Sequence, residues 1–375
     1  MDRRRFLLHS GLAVASPMVL TARGRATVRP RAELLVQGGL VYDGTGGPPV
    51  RADVRVSGDR VTQVGANLSV SGAQVIDARR HAVAPGFIDI HAHTDTVLLS
   101  YPDAESKVRQ GVTTEVAGQD GSSVAPSAPE RVQRLREQYV AEGMNVDVST
   151  LGSFFHAIQA RGAAVNLASM VGAGTIRGLA IGNDDRPPSP LELQQMVEHV
   201  RTAVRDGACG LSSGLEYVPG GFATRDELAA LARPFADTGL PYASHMRNED
   251  DSLFASIEEA LYVGRAAGVP VQISHLKAQG QRNWWKAEPV LRTLESARAA
   301  GVDVHYDRYP YIAYSTGLSN LFPLWSRDGG TPAFLARLRD AAEAPRIEAA
   351  VRDKIAQLGS WDAVQITGTG SDALS

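Results

Sequence analysis

Seven short apolar runs recur after Pro85: GFIDIHAH (86–93), VTTEVAG (112–118), AVNLASMVGAG (164–174), GACGLSSGL (207–215), PYASHMR (241–247), VPVQISHLK (269–277) and GVDVHYDRYP (301–310). The segments between them are long enough for helices and several carry helical periodicity, so the pattern is that of repeated βα units forming a parallel sheet or barrel. SPLELQQMVEHVRTAVRDG is the clearest case, with Ser189 as the expected N-cap and Gly207 near the expected end. TRDELAALARPFADTG is a second. A barrel of this kind carries its chemistry at the C-terminal ends of its strands. The expected class is therefore α/β, a TIM-type barrel that is incomplete because only seven runs are found.

Upstream, AELLVQGGLVYDG, ADVRVSGDRVTQVG and QVIDARRHAVAPG are apolar or alternating runs separated by glycine-rich turns. They read as antiparallel strands of a small β domain over residues 27–85. The barrel is expected over 86–312. At 375 residues and 43% hydrophobic, the chain can bury a core large enough for both.

Residues 1–26 combine an arginine cluster with a mildly apolar stretch from Phe6 to Leu20, interrupted by His9, Ser10, Gly11 and Pro17. That is the anatomy of an export signal, and RRRFL has the form of a twin-arginine motif. The interrupted stretch is too short to span a bilayer, so no stable membrane anchor is expected. The expected location is periplasmic or extracellular, after transient contact with the twin-arginine export machinery. These residues hold five arginines and one aspartate, so their removal takes the formal charge from −3 to −7. An acidic chain without a basic patch disfavours nucleic-acid binding. Cys209 is the only cysteine, which excludes an internal disulfide and any multi-cysteine metal site.

His91 and His93 are two apart in the first run, and on a strand such residues share a face. His245 closes the fifth run and His275 the sixth. Four histidines thus end three expected strands, where imidazole is the commonest protein ligand for zinc. A metal pair held about 3.5–4 Å apart requires a bridging anion. Asp120, just past the second run, is placed to supply it.

The segments APGFIDIHAHTD, GVTTEVAGQDG, GLSSGLEYVPG, YASHMRNE, QISHLKAQG and YPYIAYST together resemble the amidohydrolase superfamily, in particular its N-acyl-D-amino-acid deacylase branch. The likeness extends over roughly residues 32 to 375. It implies that His91 and His93 hold one metal and His245 and His275 the other. It also implies one or two zinc ions, or another divalent cation, bridged at position 120. The family has cysteine there and this chain has Asp120. For the substrate, a small N-acyl amino acid, the resemblance implies Tyr217, Lys277, Tyr309 and Ser315. Arg247 and Glu249 read as an ion pair, supporting the site or exposed. GAGTIR stands where the family has GHGTLR, so Ala173 replaces a histidine.

The implied activity is removal of the acyl group from N-acyl-D-amino acids by attack of a metal-activated hydroxide on the amide carbonyl. The family's base is an aspartate at the end of the eighth strand. Residues 313–375, including a helical stretch from Pro332 to Leu358, resemble the start of an insertion preceding that strand. Asp372 in GSDALS is not expected to take the role, so the catalytic base stays unassigned. Two alternatives remain. One is a truncated, catalytically impaired chain that only binds metal. The other is a cyclic-amide hydrolase of the dihydroorotase or hydantoinase type, which bridges its metals with a carboxylated lysine; no lysine ends the fourth run.

Overall fold

The computed structural model describes residues 33–140 and 142–368. The expected export signal over residues 1–26 and Asp372 lie outside the described residues. The chain divides into two compact units at the boundary between Phe87 and Ile88.

The first unit is one sheet of β1 (Glu33–Val41), β2 (Val50–Ser57), β3 (Arg60–Gly65), β4 (Gln74–Asp77) and β5 (Ala82–Val83). Its order is β3-β2-β1-β4, with β5 also paired to β1. β1–β2 and β2–β3 are antiparallel, whereas β4 and β5 run parallel to β1. This corrects the all-antiparallel expectation: after β3 the chain crosses through residues 66–73 and re-enters beside β1 in the same direction. A buried carboxylate fixes the crossing. Asp53 accepts the Gly38 amide on Oδ1 at 2.7 Å and the Leu68 amide on Oδ2 at 2.9 Å, so one side chain satisfies donors from both strand and loop.

The second unit holds β6 (Phe87–Asp89, which begins at the boundary), β7 (Val112–Ala117), β8 (Asn166–Ser169), β9 (Val171–Gly172), β10 (Leu211–Gly214), β11 (Tyr242–His245), β12 (Val271–Ile273) and β13 (Val304–Tyr306). They form the sheets β6-β7-β8 and β9-β10-β11-β12-β13. The pairs β7–β8, β9–β10, β10–β11, β11–β12 and β12–β13 are parallel. Within each sheet, sequential strands are thus spatial neighbours, as barrel winding requires. The third run, read as one strand, is divided at Met170, whose amide turns to the carbonyl of Ala117. Among the described residues, β6, β8, β9 and β13 each pair on one side only.

The helices pack by the faces their sequences dictate. Pro190–Asp206 opens with a capping box between Ser189 and Glu192 and ends at Gly207, whose φ of +99° is left-handed. Its buried Met196, Val200 and Ala203 lie three or four apart, one apolar stripe. Leu253–Ala267 buries Leu253, Ile257, Ala260, Leu261 and Val263 in the same manner, each large side chain contributing about 1.5–3 kcal/mol of transfer free energy. Arg177, the last residue of GAGTIR, is fully buried and pairs with Glu227 at 2.7 and 2.8 Å. The pair ties the helix Ala173–Ala180 to the helix Arg225–Ala232. The helical stretch expected over 332–358 is broken into Gly330–Arg337 and Ala344–Leu358. Asp340 breaks it by accepting the amides of Ala342 and Glu343, and Pro345 then starts the second helix. No helix among the described residues is long and apolar enough to cross a membrane.

Candidate metal centre

β6 ends at Asp89, so His91 and His93 lie beyond the strand. Their common direction therefore comes from the bend that follows it and not from the pleat. The bend is held by Asp89, which accepts the His91 amide at 3.1 Å, and by the Ala92 amide on the carbonyl of Val116. The two rings stand 5.2 Å apart. His245 closes β11, whereas His275 sits two residues past β12 with φ at +37°. Asp307 holds that left-handed residue by accepting its backbone amide at 2.7 Å.

Asp120 follows β7 and is also left-handed, with φ at +53°. Its loop is clamped onto β10. The Ser212 hydroxyl donates to the carbonyl of Gly118 at 2.6 Å and accepts the Gly121 amide at 3.1 Å. Gly214 makes the approach possible, because a Cβ there would lie 2.0 Å from the carbonyl oxygen of Asp120. The Ser212 clamp and this close backbone approach together aim the carboxylate.

These elements bring five side chains together. Oδ1 of Asp120 lies 3.4 Å from His91 Nε2, 3.4 Å from His275 Nε2 and 3.8 Å from His245 Nδ1, and Oδ2 lies 3.4 Å from His93 Nε2. His275 Nε2 and His245 Nδ1 are 2.9 Å apart. Burial works against the charge on Asp120, but contacts with His245, His275, His91 and His93 outweigh it and hold the carboxyl far below the usual carboxylate range. Burial likewise opposes the charge on His91, yet Asp120 and Asp307 raise its imidazole to about 10. For His245 burial is overcome by Asp120 and Glu216, which raise it to about 9.

The residues present fit a divalent cation. Both ring nitrogens of His91 and Oδ1 of Asp120 are buried and lack a hydrogen bond of good geometry. Such groups carry a desolvation cost that a cation would offset. His91, Asp120 and His275 offer three ligand atoms within 4.8 Å of one another, and Glu216, His245 and Glu249 offer another three. Imidazole nitrogen with carboxylate oxygen is a donor set that zinc accepts.

Three further carboxylates stand at this centre; Asp307 and Glu216 were not singled out from the sequence, and Glu249 was read there only as a partner of Arg247. Asp307 stands 3.4 Å from His91 Nδ1, Glu216 stands 3.3 Å from His245 Nε2, and Glu249 stands 3.0 Å from His275 Nδ1. Each of these imidazoles thus faces Asp120 with one nitrogen and a second carboxylate with the other. Their sequence signal is position: each follows a strand end by one to four residues.

Around this cluster, the Tyr217 ring lies 4.7 Å from that of His245, and its hydroxyl is 3.2 Å from Thr316 Oγ1. Burial raises the Tyr217 phenol, keeping it a hydrogen-bond donor. The Tyr309 ring is 6.4 Å from that of His275. Ser315 is exposed on the segment 311–319. The Lys277 ammonium is engaged by the protein, 2.5 Å from Glu249 Oε2, 2.8 Å from His275 Nδ1 and 3.1 Å from the His275 carbonyl. The Arg247–Glu249 pair is not formed. Arg247 instead binds Glu259 at 2.9 Å and the carbonyls of Gly221 and Ala223, because Glu249 is turned inward to His275 and Lys277. Ala173 is buried at the start of its helix, and burial pushes the Cys209 thiol up to about 12, leaving it no thiolate character at neutral pH.

Among known proteins, the model of the amidohydrolase family matches residues 74–239. N-acyl-D-glutamate deacylase of Alcaligenes xylosoxydans xylosoxydans is 38% identical over 289 residues, covering 77% of this chain and 59% of that protein. D-aminoacylase of the same organism is 39% identical over 287 residues, covering 76% and 59%. The solved structure of N-acyl-D-glutamate deacylase from Bordetella bronchiseptica, complexed with zinc and a phosphonate mimic of the tetrahedral intermediate, has a TM-score of 0.67 at 34% identity, covering 75% of this chain and 59% of that one. The chain thus spans about three fifths of the length of these relatives.

Proposed function

The chain belongs to the amidohydrolase family, and from that premise we propose that it acts as a metal-dependent hydrolase of linear amide bonds, removing the acyl group from N-acyl-D-amino acids. The observation that carries this reading is the meeting of four imidazoles and one carboxylate at Asp120, with every contact between 3.4 and 3.8 Å. His91, His93, Asp120, His245 and His275 would hold zinc, as one ion or two, or another divalent cation in its place. When bound, such a cation supplies Lewis acidity towards an amide carbonyl and makes water nucleophilic near neutral pH.

The chain's own residues prepare the rest. Asp307, Glu216 and Glu249 orient three of the imidazoles from behind. Tyr217 keeps its proton and is placed beside His245, where a phenolic donor suits a carbonyl oxygen that gains charge. Lys277, Tyr309 and Ser315 form the proposed substrate-facing side, where Lys277 would have to exchange part of its hold on Glu249 and His275 to pair the substrate carboxylate. Asp120 stands where the branch carries cysteine, so a cation held there would meet a hard oxygen donor in place of sulfur. Export to the periplasm or beyond, through the twin-arginine machinery, is part of the same proposal and rests on residues 1–26 alone.

The test is metal content by mass spectrometry on the purified protein, combined with hydrolysis assays on N-acetyl-D- and N-acetyl-L-amino acids. Bound zinc with turnover of the D series is expected. Absence of bound metal after zinc reconstitution would overturn the reading, and so would a loaded protein inert towards both series.

A further inference from the structure

The segment 318–327, the helix Ala344–Leu358 and the residues just past β10 line a cavity of about 440 Å³. Arg327 belongs to its wall, is 8% exposed, and forms a single hydrogen bond among the described residues, from Nη2 to the carbonyl of Glu216 at 2.9 Å. Its Nε is buried without a partner, and burial works against its charge. A buried cation is ordinarily paired with an anion, because desolvation alone is costly. The neighbouring carboxylates are committed elsewhere. Glu216 offers Oε2 to His245 at 3.3 Å and to Asn320 at 3.2 Å, while Asp328 serves Arg337 at 3.5 Å and the Asp185 amide at 2.8 Å. The other two cations of the lining are already neutralised, Arg247 by Glu259 at 2.9 Å and Lys354 by Asp250 at 2.8 Å. The positive charge of Arg327 is thus left over at the wall of an open space.

The rest of the lining sets the shape of what could answer it. Leu321, Phe322, Leu324 and Ala350 are apolar and half-buried, so they favour a hydrocarbon tail. Glu216 and Asp353 bring negative charge to the same space and disfavour a second anionic group. We infer that the cavity binds a small monocarboxylic acid, with its carboxylate on the Arg327 guanidinium and its apolar tail along Leu321, Phe322 and Leu324. The site is separate from the Asp120 cluster, none of whose five side chains lines it. It stands on the cavity alone, but what fills it can be named on the proposed reaction. Hydrolysis of an N-acyl amino acid adds water across the amide and gives the carboxylate of the acyl group with the free amine, so the acyl product is a ligand of this class. Glu216 joins the two places, its carbonyl holding Arg327 and its carboxylate facing His245, and through it an acid held at Arg327 would act on the centre that releases it.

The experiment is calorimetric titration of the zinc-reconstituted protein with hexanoate, butanoate and the neutral hexanamide, repeated on Arg327→Met, Ala350→Phe and Asp120→Ala. Wild type should bind hexanoate saturably, and butanoate on the order of tenfold more weakly for its two missing methylenes. Removing the charge from the ligand with hexanamide, or from the protein with Arg327→Met, should each weaken binding on the order of 10–100-fold. Ala350→Phe fills the cavity and leaves the guanidinium in place, so its loss of binding separates the site from a folding defect at Arg327. Asp120→Ala should keep the hexanoate affinity. Absence of saturable hexanoate binding overturns the inference, as does equal affinity for hexanoate and hexanamide. So does binding that survives Arg327→Met and Ala350→Phe but vanishes with Asp120→Ala, which would put the acid on the metal. In turnover assays hexanoate should inhibit wild type more than Arg327→Met, and equal inhibition overturns the assignment to the acyl product. A protein inert towards N-acyl-D-amino acids that still binds hexanoate through Arg327 overturns the proposed function alone.

Discussion

Gly214 is the position where fold and chemistry meet, and Gly214→Ala tests both. A methyl group there would lie 2.0 Å from the carbonyl oxygen of Asp120, 2.7 Å from its carbonyl carbon and 2.9 Å from Tyr217 Cδ2. The tyrosine ring can turn aside, but the peptide of Asp120 cannot. Carbon–oxygen contacts settle at about 3.3 Å, so the loop must retreat by about 1.3 Å or β10 must yield. Overpacking of this kind costs about 1–3 kcal/mol. At about 2–4 °C per kcal/mol for a domain of comparable size, the melting temperature should fall by several degrees. The displacement also exceeds the roughly 0.5 Å within which a functional constellation must be held. Zinc affinity should therefore fall on the order of tenfold or more, measured by chelator competition beside thermal unfolding followed by circular dichroism. Gly178→Ala is the control. The added methyl would meet nothing closer than Pro219 Cγ at 3.7 Å, and at a helix position alanine should stabilise by about 0.5–1 kcal/mol. A Gly214→Ala protein with unchanged zinc affinity and unchanged melting temperature would refute the argument that this close approach aims Asp120.

Three further predictions concern the centre and its support. Asp120→Ala should abolish any second zinc and weaken the first, seen as metal stoichiometry below that of wild type; unchanged stoichiometry would remove Asp120 from the ligand set. Glu227→Ala leaves the buried Arg177 charge without its partner and should cost about 3–5 kcal/mol, read from denaturant unfolding, with a loss below 1 kcal/mol counting against the tie between the two helices. The imidazoles of His91 and His245, raised to about 10 and about 9, hold protons at neutral pH in the metal-free protein. A cation must displace those protons, so zinc affinity should strengthen as pH rises from 6 to 9. The metal-free fold should respond oppositely. The raised His91 contributes stability that is fully present below its ordinary value of 6.5 and is lost as pH rises through about 10. Zinc affinity independent of pH would contradict this charge state.

The chain alone determined the features that depend on local pattern. The alternation of apolar runs after Pro85 specifies parallel βα winding because period-two and period-3.6 segments cannot exchange roles. Ser189, Glu192 and Gly207 mark their helix ends through side-chain and backbone conformational preferences that act within one turn. The histidines and Asp120 were readable as chemistry because their residue types stand at or just past strand ends.

What the tertiary structure decided was partnership. Glu249 and His275 are 26 positions apart, and Glu216 and His245 are 29 apart, so their meeting depends on which loops converge once the strands are wound. The same holds for Arg247, which finds Glu259 and leaves Glu249 to His275 and Lys277. Backbone direction was decided late too. β4 and β5 lie parallel to β1 because a crossing loop, pinned by Asp53, brings them there. His91 and His93 converge through a bend and not through strand alternation. Local preference selects an element and its face; only closure of the sheet determines which buried charge meets which, because each such charge takes whatever partner the packed backbone presents.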